Sequence, residues 1–258
     1  VTSTADKAST LLRLHQDPAL LTVVNVWDVV SARTVAAVEG TRALATASHS
    51  IAASWGYADG EHIPVDLMLE SVGRIVASTD LPVTADLEAG YGDAAETVRR
   101  AIGLGVVGAN IEDQMKPLSE AAAQVEAIMK VAQDEGIDFV LNARTDAFVK
   151  GRDRDPSAVL ADAVERGKAF LDAGAPVVFV PARLTEEQIG TLVDAFGPQR
   201  LTTIGIPGTP SLSWQEKAGV ARVSYGPMPQ NVALTALQEL VEDVHRGGGV
   251  PPSMRLLN

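Results

Sequence analysis

The 258-residue chain is predicted to fold as an α/β protein of the (β/α)8 barrel type. Three observations carry that prediction. Eight short apolar runs alternate with longer amphipathic stretches along the whole chain. Each run is apolar on both phases, as in strands buried on both faces of a parallel sheet. No glycine-rich phosphate loop follows the first run, where a doubly wound sheet would carry one; Trp27-Asp28-Val29-Val30 stands there instead. Eight such strands and about eight helices in roughly 250 residues are the dimensions of a barrel.

The strands are expected at 20–26, 43–47, 81–87, 106–112, 138–144, 176–182, 200–206 and 221–226. Helix ends are readable between them. Asp155-Pro156 places an N-cap before a first-turn proline, and Gly174 follows the last turn. Leu160, Val164, Gly167 and Leu171 share one face of that helix, spaced for packing on a sheet. Thr185 and Gln188 form a capping box ahead of Ile189, Leu192 and Phe196, with Gly197-Pro198 as the stop. Asp93 and Glu96 are expected to cap the helix that runs to Gly105 in the same way. No low-complexity linker divides the chain, so residues 1–258 read as one domain. The last helix, about 229–246, carries Val232, Leu237, Leu240 and Val244 as a stripe suited to docking on a neighbour.

Composition removes whole classes of function. Thirty-three acidic residues against 21 basic give a net charge of -12, the wrong sign for binding nucleic acid or anionic membrane. There is no cysteine, which excludes thiolate zinc sites, iron–sulfur clusters and thiol catalysis. His15, His49, His62 and His245 form no close pair of the helical zinc type. No apolar run approaches a membrane span and the first residues lack a signal-peptide core, so a cytoplasmic protein is expected.

In a barrel the strands' C-terminal ends line the active site. Strand one ends in Asn25-Val26-Trp27-Asp28, and strand two runs into Ser48-His49-Ser50. Strand three ends in Asp86-Leu87-Glu88, followed by Ala89-Gly90-Tyr91-Gly92. Strand four ends in Glu112-Asp113-Gln114, strand five in Asn142-Ala143-Arg144-Thr145, and Asp59 lies in the long loop after strand two. Asp86 and Glu88, two apart on a strand, are expected to point to one side, into the mouth. With Glu112 and Asp59 they would bring four carboxylates together, a charge that needs a cation in a partly dry pocket. An all-oxygen site suits Mg²⁺, or Mn²⁺, better than zinc. Arg144 is then the fork for a substrate carboxylate or phosphonate. Singly, each residue has a plainer reading: a solvated strand end, a salt-bridge arginine, a packing tryptophan. Their coincidence at successive strand ends is what points to a site.

The chain resembles the isocitrate lyase and phosphoenolpyruvate mutase superfamily from about residue 20 to about 245. The carriers are N-V-W-D-V-V-S-A-R (25–33), A-S-W-G-Y-A-D-G (53–60), L-P-V-T-A-D-L-E-A-G-Y-G (81–92), G-A-N-I-E-D-Q (108–114) and F-V-L-N-A-R-T-D (139–146). The resemblance implies a (β/α)8 barrel and a homo-oligomer, dimer or tetramer, that exchanges the last helix. It implies Asp86 as the direct Mg²⁺ ligand, with Asp59, Glu88 and Glu112 holding the metal mostly through water. Arg144 would bind the substrate carboxylate, with Trp27 beside the pocket. Backbone amides of Ala47-Ser48-His49 would grip the far anionic end of the substrate.

The chain also departs from the family. The lyase members' Lys-Lys/Arg-Cys-Gly-His loop after strand four is replaced by Met115-Lys116-Pro117-Leu118-Ser119-Glu120, as is the Lys/Thr/Asn loop of the mutases. Strand six ends in Val180-Pro181-Ala182, where relatives place a polar His or Glu. Ser48 or His49 replaces the usual Gly of the anion-gripping segment, bringing His49 toward the site. The expected activity is therefore Mg²⁺-dependent C–C or C–P cleavage, or rearrangement, of a small anionic 2-oxo acid through an enolate. Cysteine-dependent isocitrate or methylisocitrate lysis is not expected. Tyr91 and His49 are the candidate proton sources. The alternative is a catalytically silent barrel that keeps metal and ligand binding.

Overall fold

The computed structural model describes residues 2–257, so the outermost residue at each end of the expected 1–258 domain lies outside them. Nine parallel strands make up the sheet: β1 (Leu21–Val23), β2 (Asn25–Val26), β3 (Leu44–Thr46), β4 (Val83–Asp86), β5 (Gly108–Glu112), β6 (Val140–Arg144), β7 (Val177–Val180), β8 (Leu201–Ile204) and β9 (Arg222–Ser224). Their order is β1-β9-β8-β7-β6-β5-β4-β3-β2. β1 and β2 are two halves of one expected strand, interrupted at Val24. The first half pairs with β9 and the second with β3, so this one run of chain joins the two ends of the sheet and nearly closes the barrel. All eight expected strand positions are occupied.

Helices alternate with the strands: α2 (Val29–Ala36), α3 (Ser48–Ser54), α4 (Val65–Ala77), α5 (Ala94–Gly103), α6 (Leu118–Asp134), α7 (Ala147–Lys150), α8 (Pro156–Asp172), α9 (Glu186–Phe196), α10 (Leu212–Ala218) and α11 (Met228–His245). The Thr185–Gln188 capping box forms and buries Ile189, Leu192 and Phe196. At α5 only half of the expected box is present: Asp93 accepts from the Glu96 amide. On α8 the buried face is Val159, Ala163, Gly167 and Phe170, one position N-terminal of most of the face expected from spacing; Leu160, Val164 and Leu171 pack at its margin. Gly167 is required there, because a Cβ would lie 2.2 Å from the Phe196 ring of α9.

An N-terminal helix that the sequence reading did not place, α1 (Thr4–Gln16), begins at a Ser3–Asp6 capping box. Its Ala8 and Leu11 join Leu21, Val23, Ala43, Ala45, Val140, Val177 and Ala221 in a second apolar cluster, so α1 seals the strands' N-terminal ends. Above that plug the interior becomes polar. Asn142 donates to Asn110 at 2.7 Å and accepts from Thr202 at 2.6 Å, which links β5, β6 and β8. Arg222 stands opposite Leu21 and Thr202 and is fully buried. Among the described residues no helix is long and apolar enough to cross a membrane.

Candidate active site

Strand register assembles the mouth. Asp86 lies opposite Asn110, Asn110 opposite Asn142, and Glu112 opposite Arg144. Facing residues of a parallel pair share a side, as do residues two apart on a strand, so Asp86, Glu112 and Arg144 all face the barrel axis. Asn25 ties three strand ends together: it donates to the Thr46 carbonyl at 2.8 Å and accepts from the Tyr225 and Gly226 amides at 2.7 and 2.9 Å.

Asp86 accepts from both the amide and the hydroxyl of Ser48, at 3.2 and 2.8 Å. Two of the three amides expected to grip a substrate anion are thus engaged within the protein: Ser48 on Asp86, and Ala47 on the Val26 carbonyl at 3.2 Å. His49, the second residue of α3, is exposed. Trp27 is half-buried at the end of β2 and lines a cavity of about 330 Å³ with Asn25, Val30, Pro229 and Ala233.

Glu88 reaches the site differently from the expected alternation. β4 ends at Asp86, and Glu88 sits in the following turn with φ 54°. That turn is latched by the Leu87 amide on the Asn110 carbonyl and the Glu112 amide on the Glu88 carbonyl, at 3.2 and 2.8 Å. The buried Glu88 carboxylate accepts from the Glu61 amide and, at 3.1 Å, from the Tyr91 hydroxyl. Glu61 in turn accepts from the Tyr91 amide at 2.6 Å. Of the six described non-glycine residues with positive φ, five surround this mouth: Glu61, Glu88, Tyr91, Gln114 and Met115. Left-handed backbone on residues of this size is strained and concentrates at functional sites.

Arg144 is not a free fork. It donates to Glu112 at 2.8 Å through Nη1 and to Asp146 at 2.8 and 2.9 Å through Nη2 and Nε. Three of its five N–H groups are engaged, which leaves two for a ligand. Asp146 is oriented by Asp113, whose carboxylate accepts from the Asp146 and Met115 amides, both at 2.9 Å. Arg166 of α8 pairs with Asp113 at 3.0 Å and donates to the Lys116 carbonyl at 2.9 Å. Lys116 belongs to the short loop that enters α6 at Leu118.

The mouth holds more carboxylate than cation. Burial pushes Glu88 up to about 7; the Glu61 amide opposes this, and Asp59 and Asp86 add to it. Burial also pushes Glu112 up to about 7, against the pull of Arg144 and with the push of Asp146, Asp86 and Glu88. Burial works against the charge of Arg144, but Glu112, Asp146 and Asp86 outweigh it and hold the guanidinium above its ordinary value. Burial, then the Glu88 charge, raises the Tyr91 hydroxyl, so it is a donor at neutral pH. An oxygen-only donor set short of positive charge fits a hard divalent cation. It is not a closed cage: among the described residues no three His, Asp or Glu side chains stand together closely enough to hold a metal. The exposed Asp59 acts on Glu88 by its field rather than by contact.

Glu61, Asp113, Asp146 and Arg166 are the parts of this arrangement that sequence reasoning missed. Asp113 and Asp146 lie inside the quoted motifs, and only the fold shows what they touch.

Residues 11–245 match the phosphoenolpyruvate phosphomutase family. The chain belongs to that family. Among its relatives is an uncharacterized protein of Mycobacterium tuberculosis, 29% identical over 243 residues that cover 93% of this chain and 91% of the relative. A phosphonomutase-like protein of Burkholderia cenocepacia has a similar crystal structure, with a TM-score of 0.87 and 38% identity over 95% of this chain and all of the other. Oxaloacetate acetylhydrolase in complex with its product oxalate aligns with a TM-score of 0.86 and 25% identity, over 99% of this chain and 92% of the other. The family is one of lyases and mutases within the phosphoenolpyruvate mutase and isocitrate lyase superfamily.

Proposed function

We propose that this family member is an enzyme that cleaves or rearranges a C–C or C–P bond of a small anionic 2-oxo acid through an enolate. The observation that carries this reading is the Glu112–Arg144 pair beside Asp86. It sets a partly free guanidinium in a mouth that holds more carboxylate than cation. The name of oxaloacetate acetylhydrolase, with oxalate as its product, supports a 2-oxo acid as substrate. The catalytically silent alternative is not favoured, because the family consists of lyases and mutases.

Asp86 would hold Mg²⁺ directly, or Mn²⁺ in its place, with Asp59, Glu88 and Glu112 acting through water. A bound Mg²⁺ would polarise the 2-oxo acid and stabilise the enolate left when the bond at C3 breaks. The two free N–H groups of Arg144 bind and orient the substrate carboxylate. Ser48 holds one oxygen of Asp86, which fixes the carboxylate's rotamer. Tyr91, aligned by Glu88, is the first candidate proton source, and the exposed His49 is the second. Ala47, Ser48 and Trp27 line the substrate side. The protein acts as a homo-oligomer in this reading. α11 exposes Val232, Leu234, Leu237, Val241 and Val244, which supports its exchange or docking on a neighbour.

The test is Mg²⁺-dependent consumption of oxaloacetate, phosphonopyruvate, phosphoenolpyruvate and 2-methylisocitrate, followed by NMR with an Asp86→Ala control. An enol-derived product, absent in the control, supports the reading. Silence across the panel with no oxalate binding sinks it.

A further inference from the structure

The barrel interior holds a charge that the proposed chemistry leaves unused. Arg222 stands on β9 opposite Leu21 of β1 and Thr202 of β8, and it is fully buried. Thr202 donates to Asn142, Asn142 donates to Asn110, and Asn110 lies opposite Asp86. Facing residues of parallel strands share a side. Arg222 and Asp86 therefore belong to one polar belt around the inside of the barrel.

Nothing in that belt pairs with the guanidinium directly. Its Nε, Nη1 and Nη2 have no hydrogen-bond partner among the described residues. The less deeply buried Arg144 and Arg166, by contrast, close ion pairs at 2.8 and 3.0 Å. From below, Leu11 and Leu21 of the apolar plug bring no charge. His15, the titratable group on that side, is held neutral by burial and by Arg222 itself. From above, the Asp86 carboxylate is the charge that supports Arg222 against its burial. A buried guanidinium without a partner is costly, and its field is screened far less than that of a surface charge.

We propose that Arg222 is a built-in counter-charge to the Asp86 site, which makes a divalent cation bind weakly alone and firmly together with an anionic ligand. Without metal, its charge offsets part of the carboxylate excess at the mouth. A bare divalent cation at Asp86 is repelled by Arg222 as well as by Arg144. A dianion that arrives with the cation cancels that repulsion, so the two enter as a pair. Arg222 touches neither of them; it is a positioning residue that acts through its field on Asp86. Even at about 10 Å and an effective dielectric of about 20, one charge changes the affinity for a divalent ion by more than tenfold. This rests on the reading of Asp86 as a Mg²⁺ ligand given above.

Mg²⁺ binding is measured by titration calorimetry with and without saturating oxalate. A pH of 8.5 lies above the value of about 7 to which burial pushes Glu88 and Glu112, so the carboxylates stay ionised. In the wild type, oxalate is expected to tighten Mg²⁺ binding by at least about tenfold. Arg222→Met and Arg222→Gln are each expected to bind Mg²⁺ alone about tenfold tighter than the wild type and to lose most of the tightening by oxalate. Thr202→Val disturbs the same belt without changing its charge, so it is expected to keep the wild-type Mg²⁺ affinity in both conditions, whatever it costs in melting temperature. Equal or weaker Mg²⁺ binding in the Arg222 variants, the same tightening in Thr202→Val, or no effect of oxalate on the wild type overturns the counter-charge alone. A wild type that binds no Mg²⁺ even with oxalate overturns the metal reading of Asp86 and the counter-charge with it.

Discussion

Glu112 and Arg144 face each other across β5 and β6 and close a 2.8 Å ion pair at the barrel mouth. The guanidinium is held from behind as well, through Asp146, then Asp113, then Arg166 of the outer layer. That chain couples a surface helix to the orientation of the residue proposed to bind substrate.

Removing Arg166 tests the coupling. Asp113 and Arg166 are both deeply buried, with side-chain exposures of 2% and 12%. Breaking such a pair from one side leaves an uncompensated buried charge, at about 3–5 kcal/mol. Arg166→Met is therefore expected to lower unfolding free energy by about 3 kcal/mol in urea. Asp113→Asn, which leaves the more exposed partner, Arg166, without its carboxylate, is expected to lower it by less. Equal stability of wild type and Arg166→Met would show that the chain does not bear on the fold.

A pH dependence follows from His15 on α1. Burial, then the Arg222 charge, pushes its imidazole down to about 3, and the Leu11 carbonyl only partly opposes them. The folded state therefore binds fewer protons than the unfolded state between about 6.5 and about 3. The stability this contributes is complete above about 6.5 and lost as pH falls toward about 3, with a slope of up to about 1.4 kcal/mol per pH unit. Denaturant titrations from pH 7 to 4 should show wild type losing stability faster than His15→Gln. Parallel curves would mean that His15 is protonated in the fold.

The strands were legible because a strand buried on both faces writes a continuous apolar run. The Thr185 and Asp155 caps were legible because capping is local. The exits from the strands were not. Glu88 continues the alternation on paper, yet its left-handed turn is imposed by bonds from Asn110 and Glu112, more than 20 residues away. Arg144 was readable as a substrate fork, but its partners depend on strand register, which periodicity does not report. α1 carries its capping box in plain view, whereas the plugging of the barrel by Leu11 and His15 is a tertiary fact.

Arg222 gives a prediction of the opposite sign from Arg166. It is fully buried, and Nε, Nη1 and Nη2 have no hydrogen-bond partner among the described residues. Burial pushes it down to about 10, with the Asp86 charge as partial support. Replacing a buried ion pair with apolar side chains of similar volume is often neutral or stabilising by about 1–4 kcal/mol, and Arg222 bears the cost of burial without even a hydrogen-bond partner. Arg222→Met should raise the urea midpoint with an unchanged m-value. A fall in the midpoint would mean that the guanidinium offsets the carboxylate cluster above it by more than its own desolvation.

Gly90 is the residue on which the turn carrying Glu88 and Tyr91 depends. Its φ is +96°, and a Cβ there would lie 2.3 Å from the Cβ and 2.4 Å from the Cα of Ala94, the first residue of α5. The backbone is thus both left-handed and packed against a helix start, and its amide donates to the Leu87 carbonyl at 3.0 Å. Gly90→Ala must move the turn or the helix, which overpacking puts at about 1–3 kcal/mol in addition to the left-handed strain. Moving the turn pulls Glu88 from the Glu61 amide and Tyr91 from Glu88. The variant should therefore melt lower and bind Mg²⁺ more weakly, whereas Gly92→Ala, where a Cβ meets nothing within 4 Å, should show only the backbone strain. Calorimetric melting and Mg²⁺ titration of the two variants side by side decide it: equal losses at both positions would mean that the close approach to Ala94 does not hold the site in place.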